Sequence, residues 1–179
     1  MARKLRLETE GGVYHVINRG NYRGDIFRSE KTRAAFLKCL GEACRKTGWR
    51  VYAWCVMSNH YHVVAHDAAG RFPEFIAHFH KMVARALNRH WDRRENLWST
   101  EQTNVVYLTT PEALFEKVVY TLANPTSSDL VDRLADWPGL SSLHYKVGCP
   151  TKHLRPKVFF LVDGRMPEFS QLATTQPRS

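Results

Sequence analysis

The sequence predicts an α+β protein with a ferredoxin-like or RRM-like antiparallel sheet in the order β-α-β-β-α-β, followed by one more helix. Three observations predict this class. Strand-like and helix-like segments alternate in that order, a short turn joins the two middle strands, and a well-capped helix follows the last strand. The chain has 179 residues, 44% of them hydrophobic, which is enough for one domain with its own core.

The first three elements are a strand, a helix and a strand. Residues 13–18 are rich in β-branched and aromatic side chains, which predicts a strand that ends at Arg19-Gly20-Asn21. Ser29 is a suitable cap for a helix that runs to about Lys46. The apolar run over 49–57 then predicts the second strand.

The next three elements repeat this order. Ser58-Asn59 predicts a hairpin turn, and the run from His60 to Ala65 predicts the return strand. Apolar residues at helical spacing predict a helix from about Pro73 to Trp91. The segment from Thr103 to Thr109 predicts the fourth strand of the sheet.

The last predicted helix has strong signals at both ends. Thr110 supplies a capping hydroxyl, Pro111 suits the first helical turn, and Glu112 is an acid near the positive end of the helix dipole. Pro125 disfavours helical geometry in the residue before it, so we expect the helix to end by Asn124. We assign residues 1–135 to the folded domain and 136–179 to a wrapping extension with a disordered end, because four of the eight prolines follow Gly148.

The composition favours a polyanionic partner. A formal net charge of +9 attracts nucleic acid, and no long amphipathic basic helix points to a membrane surface. We find neither an apolar signal segment nor a membrane span, so we expect a cytoplasmic protein without a membrane partner. The four cysteines, at positions 39, 44, 55 and 149, have no spacing typical of a zinc ribbon or a disulfide framework. We interpret Cys39, Cys44 and Cys55 as small buried thiols.

Two histidines of the third strand could bind a metal. His60 and His62 are two residues apart, so both imidazoles project from one face of the sheet while Tyr61 projects from the other. Neutral imidazoles on one face form half of a divalent-metal site. The pair His78 and His80 lies in a helix, where this spacing directs the side chains apart, and we interpret both as surface or packing residues.

The last helix could complete the site. Tyr120 and Asn124 are neighbours at i, i+4, and an amide oxygen is a competent ligand for Mg²⁺ or Mn²⁺. The pattern fits equally well an exposed tyrosine and an asparagine that merely ends the helix. On a helical wheel both lie away from one continuous apolar face, which we expect to pack on the core: Leu114, Phe115, Val118, Val119, Leu122 and Ala123.

Three ordered segments of the chain resemble the HUH-type single-tyrosine transposases of IS200-like insertion sequences, especially the REP-associated tyrosine transposases. The segments are Gly11-Gly12-Val13-Tyr14-His15-Val16-Ile17-Asn18-Arg19-Gly20, Met57-Ser58-Asn59-His60-Tyr61-His62-Val63-Val64 and Tyr120-Thr121-Leu122-Ala123-Asn124-Pro125. Their order and spacing agree from about residue 11 to 131.

The resemblance implies that residues 1–135 form a catalytic domain whose last helix carries the nucleophile. It implies that His60, His62 and Asn124 bind Mg²⁺ or Mn²⁺, and that Tyr120 attacks a DNA phosphate. The product would be a 5′-phosphotyrosine and a free 3′-OH. Members of this family cut and rejoin single strands, often beside hairpins, which implies a bacterial, nucleoid-associated protein that acts as a monomer or a homodimer.

Two segments depart from the family pattern. Relatives usually follow the Asn-Pro pair with Val-Arg-Ala-Gly-Leu-Val, whereas this chain has Thr126-Ser127-Ser128-Asp129-Leu130-Val131. Residues 96–102 also differ from the segment that relatives carry after the second helix. The proposed catalytic atoms are intact, so these differences concern recognition of the substrate.

Basic residues near the first strand are the predicted DNA-binding surface. Cations pair with the phosphate backbone, and an aromatic ring among them can stack on an unpaired base. Tyr22 is the best stacking candidate because glycines and arginines surround it. The predicted DNA contacts are Arg3, Lys4, Arg6, Arg19, Tyr22, Arg23, Arg28 and Lys117.

Three other functions compete with this one. A domesticated relative could bind structured DNA or RNA without cutting it, although binding alone requires none of the four site residues. An RRM-like RNA-binding protein would carry an aromatic-glycine stacking strand, which is not evident in the sequence. Another kind of metal hydrolase would leave Tyr120 without a role.

Overall fold

The structure, a computed structural model, describes residues 9–21, 25–101, 103–154, 169–172 and 174. Within them the chain forms strands and helices in the predicted order. These are β1 (Gly12–Arg19), α1 (Glu30–Thr47), β2 (Arg50–Val56), β3 (His60–Asp67), α2 (Phe72–His90), β4 (Asn104–Tyr107), α3 (Pro111–Ser127), β5 (Leu140–Ser141), β6 (Thr151–Leu154) and β7 (Phe169–Leu172).

The main sheet has five strands in the spatial order β4-β1-β3-β2-β5, and every neighbouring pair is antiparallel. The first four strands therefore have the arrangement of a split β-α-β sheet. This confirms the predicted ferredoxin-like class. The β3 strand lies in the centre of the sheet, between β1 and β2, so both of its edges are paired.

The predicted helix and turn signals act at the positions expected. The Ser29 hydroxyl accepts a hydrogen bond from the Thr32 backbone N–H at 3.2 Å, and the Thr110 hydroxyl accepts one from Ala113 at 3.1 Å. Gly48 ends α1 in the left-handed conformation, with φ of 78°. The Met57 N–H donates to the His60 carbonyl at 2.9 Å, which closes the predicted hairpin turn.

Helices cover both faces of the sheet, and each face has its own hydrophobic core. Helices α1 and α2 cover the larger core, which includes Tyr61 and Val63 of β3. Helix α3 covers the other face, where Val64 of β3 packs with Leu114. Because side chains alternate along a strand, the even-numbered residues of β3 lie on the α3 side.

Helix α3 extends beyond the predicted end, and the prediction that it stops by Asn124 is wrong. The helix continues to Ser127 with Pro125 inside it. Pro125 lacks an N–H and cannot bond to the preceding turn, but the turn that follows is secured. Ser128 donates to the Asn124 carbonyl and Leu130 to the Pro125 carbonyl, both at 3.0 Å.

The buried face of α3 also differs from the predicted apolar face. Phe115 is 70% exposed and Val119 is 47% exposed, whereas Thr121 and Asn124 are buried. The core under α3 is small, so it exerts little preference for the most apolar stripe of the helix. The polar stripe faces the sheet at the position where the sheet carries histidines.

The segment after residue 135 contributes to the sheet and to its cover. Strand β5 pairs with the free edge of β2, and the β6–β7 hairpin packs against α1. The boundary at residue 135 and the disorder of the chain end stay predictions, and residues 155–168, 173 and 175–179 lie outside the described residues. No helix in the described part is long and apolar enough to cross a membrane.

The interpretation of three cysteines as buried thiols is confirmed. Cys39, Cys44 and Cys55 are buried and free, and Cys149 is exposed. Burial raises the pKa of Cys44 to about 12, because desolvation disfavours the thiolate. These buried thiols are therefore unreactive at neutral pH.

Candidate active site

The histidine pair of β3 lies on the α3 face of the sheet. The ring centroids of His60 and His62 are 5.1 Å apart. Tyr61 projects to the opposite side, where it is buried and its hydroxyl forms a 2.7 Å hydrogen bond with Nε2 of His80. The predicted separation of Tyr61 from the two histidines is confirmed, and His80 is a packing residue of the other face.

Hydrogen bonds to the Nδ1 atoms leave both Nε2 atoms for another partner. Nδ1 of His60 lies 2.7 Å from the amide oxygen of Asn59, which can only accept, so His60 carries its proton on Nδ1. Nδ1 of His62 lies 3.2 Å from Nε2 of His15. Nε2 of His62 is buried and has no hydrogen-bond partner in the described part of the chain.

Helix α3 places Tyr120 against the histidines. The Tyr120 ring meets the ring of His62 edge-on, with centroids 5.7 Å apart, and that of His15 at 5.9 Å. Tyr120 is nevertheless 44% exposed, so a substrate can reach it from solvent. The position combines a fixed ring with an accessible side chain, which a nucleophilic tyrosine requires.

Asn124 lies one turn after Tyr120 on the same helix. Its side chain is buried, and its Oδ1 atom has no hydrogen-bond partner among the described residues. A buried polar atom without a hydrogen bond lowers the stability of the fold unless a ligand binds it. This holds for Oδ1 of Asn124 and for Nε2 of His62. Two imidazole nitrogens and one amide oxygen are suitable ligands for Mn²⁺, which binds both nitrogen and oxygen. Mg²⁺ prefers oxygen, which the amide supplies.

Among the described residues, the charged side chains that act on His60 and His62 are cations. Burial, followed by the neighbouring His60, His15 and Lys117, lowers the pKa of His62 to about 3. Burial and Arg19 lower the pKa of His60. Both imidazoles are therefore neutral at pH 7, which a metal ligand requires. The positive charge of the site comes from Arg19 and Lys117, and it favours an anionic phosphodiester.

The predicted DNA-binding residues are placed in part. Arg19 is exposed at the end of β1 in register with His60, and the Lys117 ammonium lies 5.1 Å from the centroid of the Tyr120 ring. Arg28 follows a loop held at the same end of the sheet, and it forms an exposed ion pair with Asp25 at 3.7 Å. The other predicted contacts lie outside the described residues: Arg3, Lys4, Arg6, Tyr22 and Arg23.

The sequence prediction missed His15. It lies on β1 opposite Val64, and the next pair on the same face of the sheet is Ile17 with His62, so His15 and His62 are diagonal neighbours on that face. Alternation along β1 directs His15 to the same face as Val13, which packs in the core under α3. The alternation along β1 could have indicated which face His15 occupies, but only the register of β1 with β3 shows that it lies beside His62.

The buried histidines make the metal-free protein sensitive to acid. Burial, followed by Lys117, lowers the pKa of His15 from 6.5 to about 4. The unfolded chain therefore binds protons first as the pH falls, so the stability is complete above pH 6.5 and declines from there towards pH 4. His15 alone should lower the free energy of unfolding by about 3 kcal/mol at pH 4.

Urea denaturation in EDTA between pH 4 and pH 7 measures this effect. The His15→Phe variant serves as the reference, because it keeps the other acid-sensitive groups and removes this one. We expect the stability of the variant to depend less on pH than that of the wild type. Equal pH dependence in the two proteins would contradict the role of buried His15 in the acid sensitivity.

The fold and the site together define the class of the molecule. It is a ferredoxin-like α+β protein in which a tyrosine-bearing helix packs across a central strand that carries two histidines. The family model described as "Transposase IS200 like" matches residues 9–109. The chain therefore belongs to the IS200-like transposase family, as its sequence motifs indicated.

Several solved structures resemble the chain, among them two transposases. A REP-associated tyrosine transposase bound to a REP hairpin has a TM-score of 0.67 and 18% sequence identity, covering 80% of this chain and 84% of that chain. This similarity shows that the two proteins share a fold. A candidate transposase from Deinococcus radiodurans R1 has a TM-score of 0.45 and 18% identity, covering 72% of this chain and 98% of that chain. No curated protein matches the chain.

Proposed function

We propose that this transposase is a metal-dependent DNA strand transferase and endonuclease that cuts and rejoins single strands through a 5′-phosphotyrosine on Tyr120. The observation that carries the proposal is the contact between the Tyr120 ring and the His62 ring, at 5.7 Å, beside an orphaned imidazole nitrogen. Binding of DNA alone requires none of these features. The intact set of groups therefore favours a cleaving enzyme over a domesticated DNA- or RNA-binding protein.

The covalent step conserves the energy of the phosphodiester bond. The Tyr120 oxygen attacks the scissile phosphorus, a new P–O bond forms, and the bond from phosphorus to the 3′ oxygen breaks. The leaving 3′ oxygen takes up a proton and becomes a 3′-OH, while the phenol proton passes to solvent. Attack by another 3′-OH reverses these steps and joins the strands, so the reaction needs no ATP.

His60, His62 and Asn124 would hold the metal ion in this proposal. The fit rests on the two neutral imidazoles and on the buried Nε2 and Oδ1 atoms that have no partner in the described part of the chain. Bound there, Mg²⁺ or Mn²⁺ supplies Lewis-acid stabilisation of the charge that builds up on the phosphate oxygens. The described residues contain no group of three or more His, Cys, Asp or Glu side chains suited to a metal, and in this proposal the third ligand is the amide of Asn124.

The DNA contacts follow the positive side of the site. Lys117 lies beside Tyr120, and Arg19 lies beside His60, so both can pair with phosphates that flank the scissile one. The structural relative solved with a REP hairpin supports a substrate whose single strand lies next to a hairpin. In this proposal the protein acts at the bacterial nucleoid, in the cytoplasm, as a monomer or a homodimer.

A covalent-adduct assay tests this function. The protein is incubated with end-labelled single strands, with and without a flanking hairpin, in Mn²⁺, Mg²⁺ or EDTA, and the products are separated under denaturing conditions. We expect a DNA–protein adduct and a strand ending in a 3′-OH with either metal, and neither product in EDTA. Binding without an adduct across the pool would favour the domesticated, non-cleaving alternative.

A further inference from the structure

A buried contact joins the proposed metal ligand His62 to His15 of the neighbouring strand. Nε2 of His15 lies 3.2 Å from Nδ1 of His62, and the planes of the two rings are only 20° apart. His15 is 1% exposed and His62 is 3% exposed, so water cannot replace either partner. The antiparallel register of β1 and β3 sets this contact, because it makes the two residues diagonal neighbours.

The position of one proton determines whether His62 can bind a metal. A neutral imidazole carries one proton on its two nitrogens, so the contact contains a single N–H donor. If His15 donates, the proton of His62 is on Nε2, and that atom has no lone pair to offer. If His62 donates from Nδ1, its Nε2 atom keeps a free lone pair, which points away from His15 and can bind a metal ion.

We propose that His15 is a positioning residue, which accepts the Nδ1 proton of His62 and thereby holds the His62 ring with its Nε2 lone pair towards the metal position. This inference rests on the proposed metal-dependent function. His15 is not itself the third ligand, because its Nε2 atom accepts from His62 and its Nδ1 atom then carries the one proton of the ring. Metal-binding histidines commonly have such an acceptor behind them, and it fixes both the tautomer and the orientation of the ring.

The choice of a histidine as acceptor suits the electrostatics of the site. A carboxylate is the usual acceptor, but it would add a negative charge close to the position of the DNA phosphate. A neutral imidazole accepts the same proton without that charge. The groups that act on His62 through charge are His60, His15 and Lys117, and none of them is an acid. The neutral acceptor therefore sets the metal-binding tautomer of His62 and leaves the electrostatic potential of the site positive.

The tautomer of His62 is measurable without any metal. Long-range ¹H–¹⁵N spectra of the metal-free protein in EDTA distinguish protonated from unprotonated ring nitrogens, and the His62→Ala variant identifies the His62 signals. We expect His62 of the wild type to be protonated on Nδ1 alone. In His15→Phe, which removes the acceptor and keeps a ring of similar shape, the proton should move to Nε2 in part or completely.

His15→Gln is the conservative variant, because a glutamine oxygen reaches the same position and can accept the proton. It should restore the Nδ1-protonated form. His80→Phe is the matched control: it removes a half-buried histidine that bonds to Tyr61 on the opposite face of the sheet, and it should leave the tautomer of His62 unchanged. A loss of packing alone would not distinguish these variants in this way.

The affinity for Mn²⁺ tests the consequence for metal binding, and the electron paramagnetic resonance signal of the free ion measures it. We expect the Kd to rise about 10- to 100-fold in His15→Phe, to recover in His15→Gln, and to be unchanged in His80→Phe. An Nε2-protonated His62 in the wild type, or an unchanged tautomer and Kd in His15→Phe, would overturn the inference. A wild type that binds no Mn²⁺ would instead refute the metal dependence, and the tautomer spectra would still decide the role of His15.

Discussion

Replacing Tyr120 by phenylalanine should abolish the covalent DNA–protein adduct while the fold stays intact. The ring of Tyr120 packs edge-on against His62 and His15, and phenylalanine keeps these contacts. Only the hydroxyl is lost, and without it no phosphotyrosine can form. We expect the yield of adduct to fall by about three orders of magnitude or more, as is typical when a nucleophile is removed.

Tyr107→Phe is the matched control for this experiment. Tyr107 is 45% exposed and Tyr120 is 44% exposed, so the two substitutions remove equally accessible hydroxyls. Tyr107 lies on the edge strand β4, and its ring meets that of Tyr14 in the core under α1 and α2, on the face of the sheet opposite the histidines. The control should form the adduct like the wild type, and thermal melting should show both variants folded. An adduct that persists in Tyr120→Phe would assign the nucleophile to another residue.

Replacing His62 by alanine should abolish both Mn²⁺ binding and formation of the adduct. The substitution removes the Nε2 atom that has no partner in the described part of the chain. Loss of an outer partner of a ligand costs about 10- to 100-fold in metal affinity, so loss of the ligand itself should cost at least about 100-fold. Metal titration and the adduct assay measure the two effects separately.

The His60→Ala variant distinguishes loss of a metal ligand from loss of folding. His62 is buried, so its removal could weaken the fold, whereas His60 is half-buried and less important for packing. His78→Ala is the control, because His78 is also half-buried but lies on α2 at the other face of the sheet. We expect weak metal binding in His60→Ala and normal binding in His78→Ala. Equal Kd values in these two variants would argue against the metal site.

The sequence was sufficient for the class of fold because its signals are local. The caps at Ser29 and Thr110 and the turn at residues 58–59 each act within a few residues of themselves. Alternation along β3 likewise predicts that His60 and His62 share a face. None of these features requires knowledge of which strand lies beside which.

The remainder of the site depends on contacts between distant segments. The bond between His15 and His62 joins residues 47 positions apart, and only the register of β1 with β3 creates it. The orientation of α3 likewise follows from what the sheet offers it, so the apolar stripe with Phe115 faces solvent and the stripe with Asn124 faces the histidines. Helix periodicity describes the stripes of a helix but does not determine which one is buried.

The neutrality of the proposed ligands has a consequence for the order of assembly. Within the described residues, the candidate site consists of imidazoles and an amide, and the nearby charges are cationic, so the protein offers a divalent ion no counter-charge. The scissile phosphate would be the nearest anion. Ion and strand would then bind cooperatively, each raising the affinity for the other by the same factor. The free protein would hold its ion weakly, and the proposed site would become complete only when a DNA strand is bound.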